Sequence, residues 1–281
     1  MIFYRNTAGE EVHFDEPPFY VDVTELAGFA LSYNTDAYIG RYGGVVNGFS
    51  SGVVEKPIYV GICADREGMY EAMESIMRIT QYDINCDTPG RFYVGDQYIL
   101  CFMTGAAFNT IFDPSVQFAD KTYTLAICYP RWCTEKMTVY LPEQRETESA
   151  EYMDYPYDYA YDYLYDLSGV RQLVNDHYSD SDFIMTVYGP SLNPKITIAG
   201  HAYEVITTLY DGDYMVVDSR LGKVYKILRD GSKINLFNQR NKNSDLFKKI
   251  PSGRSTVVFS QEFGFDITLI QERDELRWSI L

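Results

Sequence analysis

The chain has 281 residues, with 24 Lys plus Arg against 40 Asp plus Glu and a formal charge of −16. That balance excludes gripping of nucleic acid or an anionic membrane, because both need clustered cations that displace counterions. A hydrophobic fraction of 46% with 23% charged residues is that of an ordinary folded chain, and 26 Tyr against three His describe a contact-rich sequence with few catalytic bases.

The length predicts two domains. Residues 1–14 lack the apolar run of a secretory signal, and no stretch of about 18 apolar residues is present to span a membrane. The five cysteines, Cys63, Cys86, Cys101, Cys128 and Cys133, are widely spaced and contain no C-x-x-C pair. They are expected to be buried free thiols in a reducing compartment and not a disulfide scaffold or zinc ribbon.

In the first half, residues 65–80 show helical spacing, with Met69, Ala72, Met73, Ile76, Ile79 and Thr80 on one side. Asp65 is the expected N-cap, and Glu74 with Arg78 is spaced for an i,i+4 ion pair. The Met-rich stripe reads as core packing, so the helix should cover a sheet. Residues 56–64, 91–102 and 122–129 read as strands bounded by turn residues. No dinucleotide or P-loop glycine pattern occurs, and strand and helix periods do not alternate, which predicts a β-rich α+β fold and not a doubly wound sheet.

A composition shift at residues 142–151, PEQRETESAE, marks the expected boundary between domains 1–141 and 142–281. From Tyr155 to Tyr165 every odd position is Tyr, and a period of two puts these rings on one face of an extended chain. Pro156 favours that extended reading, so residues 142–165 are expected to form an acidic, Tyr-rich linker and first strand. Three uses are open to this ladder: a packing face for a neighbouring domain or subunit, which is favoured, a calcium site, or a sugar platform. Calcium loops turn sharply so that their ligands converge, whereas these Asp residues are spread along a line.

Beyond Asp180, Asp211-Gly212, Leu221-Gly222 and Asp230-Gly231 each separate two apolar runs and predict hairpins. Four strands of a meander over residues 203–237 follow. With the runs at 183–188, 195–198, 255–259 and 265–271, they give the strand count of an antiparallel β-sandwich.

Catalytic patterns are not found. His13, His177 and His201 are far apart, no cysteine has a protease-like setting, and no nucleophile elbow occurs, so neither enzyme activity nor a cofactor or metal is expected. His201 is expected to be a turn residue or a half-buried edge. Residues 239–249 are locally basic through Arg240, Lys242, Lys248 and Lys249, either as a solvated loop or as a match for an acidic partner.

The segments YRNTAGEEVHF, TPGRFYVGDQYILC, YPYDYAYDY, HYSDSDFIMTVYGPSLNPKITIAGHAYEV, VVDSR, NLFNQRN, KKIPSG and FGFDITLIQERDELRW, in this order, resemble the distal tail proteins of long non-contractile phage and prophage tails of Gram-positive bacteria. The resemblance implies a mainly β chain. Its N-terminal domain would be a tail-tube-like β-barrel or sandwich with one helix that forms a six-fold ring, and its C-terminal domain a galectin-like antiparallel β-sandwich. It also implies a virion location and a hub role, with the tail tube protein, the tail-tip protein, the tape measure protein and a receptor-binding protein as partners, and with DNA passing through without specific binding. Ala160 stands where the family often has a second Pro in the ladder. The interface candidates are Tyr155, Tyr157, Tyr159, Tyr161, Tyr163, Arg240 and Lys242. A binding module for cell-wall polysaccharide is the alternative expectation.

Overall fold

The computed structural model describes residues 1–113, 117–142 and 169–277. The chain is β-rich α+β, as expected, and divides into two compact units: Met1–Thr134 with the tail from Glu272, and Glu135–Gln271.

In chain order the first half contains β1 (Ile2–Arg5), β2 (Glu11–His13), β3 (Phe19–Asp22), α1 (Thr24–Ala27), β4 (Ser32–Ala37), β5 (Gly44–Ser50) and β6 (Val54–Cys63). It continues with α2 (Arg66–Asn85), β7 (Gly90–Val94), β8 (Gln97–Asp113) and β9 (Phe118–Tyr140). An antiparallel sheet in the order β2-β1-β7-β8-β9-β6-β3 forms the body of the first unit. It stays open, with β2 and β3 as its edges, so the barrel alternative is not realised. The predicted run at 91–102 is a tight hairpin, with Gly95 at φ 66 between β7 and β8. A second, one-turn helix, α1, was not expected.

Helix α2 begins where the sequence places it. The Asp65 side chain accepts from the Gly68 N–H at 2.9 Å, and Met69, Ala72, Ile76, Ile79 and Thr80 are buried in the core of this unit. The helix runs five residues past the predicted end, and Asp83, on this last stretch, is fully buried. Asp83 accepts from the Tyr4 hydroxyl at 2.5 Å and from the Thr7 amide and hydroxyl at 2.8 and 2.7 Å, which ties the helix end to β1 and its following turn. Burial, and then the bond to Asp83, pushes the Tyr4 phenol far up. Gly90 faces this cluster, and any Cβ there would overlap Asp83 and Tyr4. The expected Glu74–Arg78 pair does not form. Arg78 turns toward the β1–β2 turn and reaches Glu10 at 3.4 Å.

The second half adds β10 (Gly169–Asn175), β11 (Asp182–Tyr188), β12 (Ser191–Leu192), β13 (Lys195–Ile198), β14 (His201–Glu204) and β15 (Thr208–Leu209). It ends with β16 (Tyr214–Asp218), β17 (Lys223–Ile227), β18 (Lys233–Asn235), β19 (Gly253–Phe259) and β20 (Phe265–Arg273). One antiparallel sheet runs β10-β19-β13-β14 and another β18-β17-β16-β11-β20. Their inward side chains, among them Leu173, Ile196, Val257 and Phe259 from the first sheet and Phe183, Val217, Phe265 and Leu269 from the second, share one core. Burial alternates along β16 and β11, as a sandwich face requires.

The hairpins at Leu221-Gly222 and Asp230-Gly231 form as expected. The one at Asp211-Gly212 does not, because β15 pairs with β12 and not with β16. The buried Asp213 carboxyl holds the Tyr210 and Arg229 amides, each at 3.1 Å, and so closes a loop where a two-strand turn was predicted. The cysteine expectation holds only in part. All five are free, but Cys63, Cys86 and Cys128 are exposed, and only Cys101 and Cys133 are buried.

Candidate assembly interface

Residues 28–53 depart from the rest of the chain. They contain six Gly, five aromatic residues and only two charges, Asp36 and Arg41. Low charge combined with Tyr and Phe is the composition of the centre of a protein interface. Strands β4 and β5 pair within this segment, and the turn between them uses Gly40 at φ 74 and Gly43 at φ 97, angles that an L side chain avoids. The ladder shifts register between Asn34 and Thr35, and Asn47 bonds to Asp36 across the strands.

The hairpin is a separate two-stranded sheet in which every residue of both strands is exposed. Tyr33 and Phe49 meet edge to face at 6.4 Å on one side, yet their relative exposures are 61% and 69%. At the tip, Ile39 and Tyr42 are wholly exposed. A lone hairpin is marginal in water, and apolar side chains of this size left in solvent form a patch that a partner surface would bury.

The root of the hairpin is held in place. The Lys56 ammonium, on β6, donates to the carbonyls of Glu25, Leu26 and Gly28, which satisfies the C-terminal end of α1 just before the chain leaves for β4. Burial lowers the Lys56 pKa. Lys56→Ala is expected to cost about 1–2 kcal/mol and to speed amide exchange in residues 26–32; unchanged exchange there would show that Lys56 does not hold the root.

The sequence-predicted site residues fall elsewhere. Tyr155, Tyr157, Tyr159, Tyr161 and Tyr163 lie outside the described residues. Arg240 and Lys242 belong to the second unit, where Lys242 is exposed. The Arg240 guanidinium sits 3.7 Å from the centre of the Phe237 ring and donates to the Phe237 carbonyl at 2.7 Å, so its charge is engaged within its own loop. In the same basic stretch, Lys249 pairs with Asp182 at 2.8 Å. His201 stands half-buried at the start of β14, with its Nε2 2.7 Å from the Asp245 carbonyl oxygen. His177 is buried beside Ser179, and His13 pairs with Glu11. Among the described residues the three histidines therefore stand in three separate settings, and no group of three His, Cys, Asp or Glu side chains converges. Among the described residues no helix is long and apolar enough to cross a membrane.

No protein-family model and no curated protein sequence matches the chain. Solved structures do. The crystal structure of the phage SPP1 Dit protein, described as a paradigm of the hub adsorption apparatus in phages that infect Gram-positive bacteria, is 10% identical with a TM-score of 0.60, over 97% of this chain and 99% of that one. A chain of the phage P2 baseplate in its activated conformation with Ca is 11% identical with a TM-score of 0.63, over 98% and 100%. The corresponding baseplate with Sr gives 12% and 0.63, over 98% of each chain. At such identities the likeness is one of fold, and from end to end the chain has the fold of SPP1 Dit and of these P2 baseplate chains.

Proposed function

We propose that the chain is a structural distal tail hub of a long non-contractile phage or prophage tail. Six copies close a ring that joins the tail tube to the tail tip or baseplate and its receptor-binding proteins. The observation that carries this reading is the fold likeness over 97–98% of the chain to a hub protein and to baseplate chains. The exposed β4–β5 hairpin supports it from within the chain, because an uncovered, charge-poor arm is what a ring-forming subunit would offer its neighbour.

In this reading the first unit builds the ring and the second is a peripheral galectin-like sandwich; the Tyr ladder and the basic loop with Arg240 and Lys242 remain candidate contacts. The charge of −16 then has a use, since a negative lumen repels DNA phosphates and lets the genome pass without sticking. A hub acts by holding its partners in register and needs no catalytic residue or cofactor of its own. Antibody labelling of tail particles in the electron microscope tests the role. Label confined to the tail end far from the capsid is the expected result, and unlabelled particles would overturn it.

A further inference from the structure

A second uncovered surface lies in the first unit, in a cleft of about 520 Å³ between α2 and the strands β8 and β9. Its walls mix polar side chains with adaptable apolar ones, Met73 and Met77 from the helix and Met103 from β8. Two polar features stand out in it. The Tyr123 hydroxyl is buried, in a residue only 4% exposed, and has no hydrogen-bond partner among the described residues. Such an orphan is costly and marks a place where a partner atom is missing. The Lys121 ammonium lies over the Tyr123 and Phe108 rings, 5.0 and 4.9 Å from their centres, and among the described residues it has no ion pair. Burial lowers its pKa, as expected for a cation drawn from water without an anion beside it. Glu74, on the helical wall, is likewise unpaired among the described residues.

The hairpin carries the complement. It exposes Tyr33, Ile39, Tyr42, Val45 and Phe49, and its two charges are one anion, Asp36, and one cation, Arg41. The cleft also offers one cation and one anion, beside its three Met side chains. We propose that the α2–β8–β9 cleft is the seat for the β4–β5 hairpin of a second copy of this chain, with Asp36 meeting Lys121, Arg41 meeting Glu74, and the hairpin supplying the acceptor that the Tyr123 hydroxyl lacks. Two different surfaces of one chain then join head to tail, the kind of contact that closes into rings. The inference rests on the ring reading above and assigns the neighbour's side of that contact.

Sedimentation velocity on the full-length chain, alone and with tail tubes, tests it, and circular dichroism verifies folding of each variant. Lys121→Glu and Asp36→Lys should each weaken association about tenfold or more, while the double reversal should return to within about threefold of the wild type, as coupled charge pairs do. Tyr123→Phe should leave the melting temperature of the monomer unchanged or raised, since an unpaired buried hydroxyl is removed, and should weaken association. Wild-type rings with folded variants that associate equally well, or single effects that merely add in the double variant, would overturn the docking and leave the hub reading standing. A wild-type chain that never associates, alone or on tubes, would overturn both.

Discussion

A chain in which residues 33–49 are replaced by a two-residue turn should fold normally and lose ring assembly, with self-association weakened more than about 100-fold. The excision is geometrically mild. Ser32 and Ser50 are cross-strand partners, so their backbones already stand at the spacing that a two-residue hairpin turn bridges. No residue of β4 or β5 belongs to the buried core of the first unit, so its packing loses nothing. What is lost is Tyr33, Ile39, Tyr42, Val45 and Phe49, each exposed in the single chain. Tyr is among the side chains that carry most of the energy of an interface, and about 2.7 kcal/mol of lost binding already gives a hundredfold. Sedimentation velocity and a thermal melt on the same sample read both halves of the prediction. Intact rings from the shortened chain would remove the hairpin from the assembly contact.

Asp83→Ala should cost the first unit about 3–5 kcal/mol, measured by urea unfolding. Three donors converge on this one buried side chain: the Tyr4 hydroxyl, the Thr7 amide and the Thr7 hydroxyl. Removing it leaves the Tyr4 hydroxyl without an acceptor in a residue with no solvent exposure, and detaches the end of α2 from β1. Tyr4→Phe removes one donor and keeps the ring, so it should cost only about 1–2 kcal/mol. The ratio between the two variants is the informative quantity. Equal losses would mean that the ring packing of Tyr4, and not the carboxyl group, holds the cluster together.

These two features differ in how far the sequence reveals them. The start and the buried stripe of α2 are legible because a capping Asp and a 3.6-residue period are local signals. The β16–β17 and β17–β18 hairpins are legible for the same reason, each turn carrying its own glycine. The Asp83 cluster is not, since its donors lie 76 and 79 residues away and only the fold unites them. Asp211-Gly212 misled because the decisive interaction is the neighbouring Asp213, whose carboxyl reaches Arg229 sixteen residues on. Arg78 chose Glu10 over Glu74 because the β1–β2 turn passes by the helix, which helical spacing alone does not register.

The hairpin is an intermediate case. Its strands carry no alternation of buried and exposed residues, so periodicity passes over them. Its signal is compositional, with two charges in 26 residues of a chain that is 23% charged. The Tyr ladder is the most regular feature of the sequence and lies outside the described residues, whereas the hairpin is marked only by a local shortage of charge. The cleft beside Lys121 left no such trace, because it is lined by α2, β8 and β9, which only the fold brings together.

Electron microscopy of the full chain incubated with assembled tail tubes tests the hub reading most directly. The expected result is one six-fold ring capping one end of each tube, built from six copies of the 32.4 kDa chain; bare tube ends beside a chain that stays monomeric, or open filaments of it, would contradict the hub role.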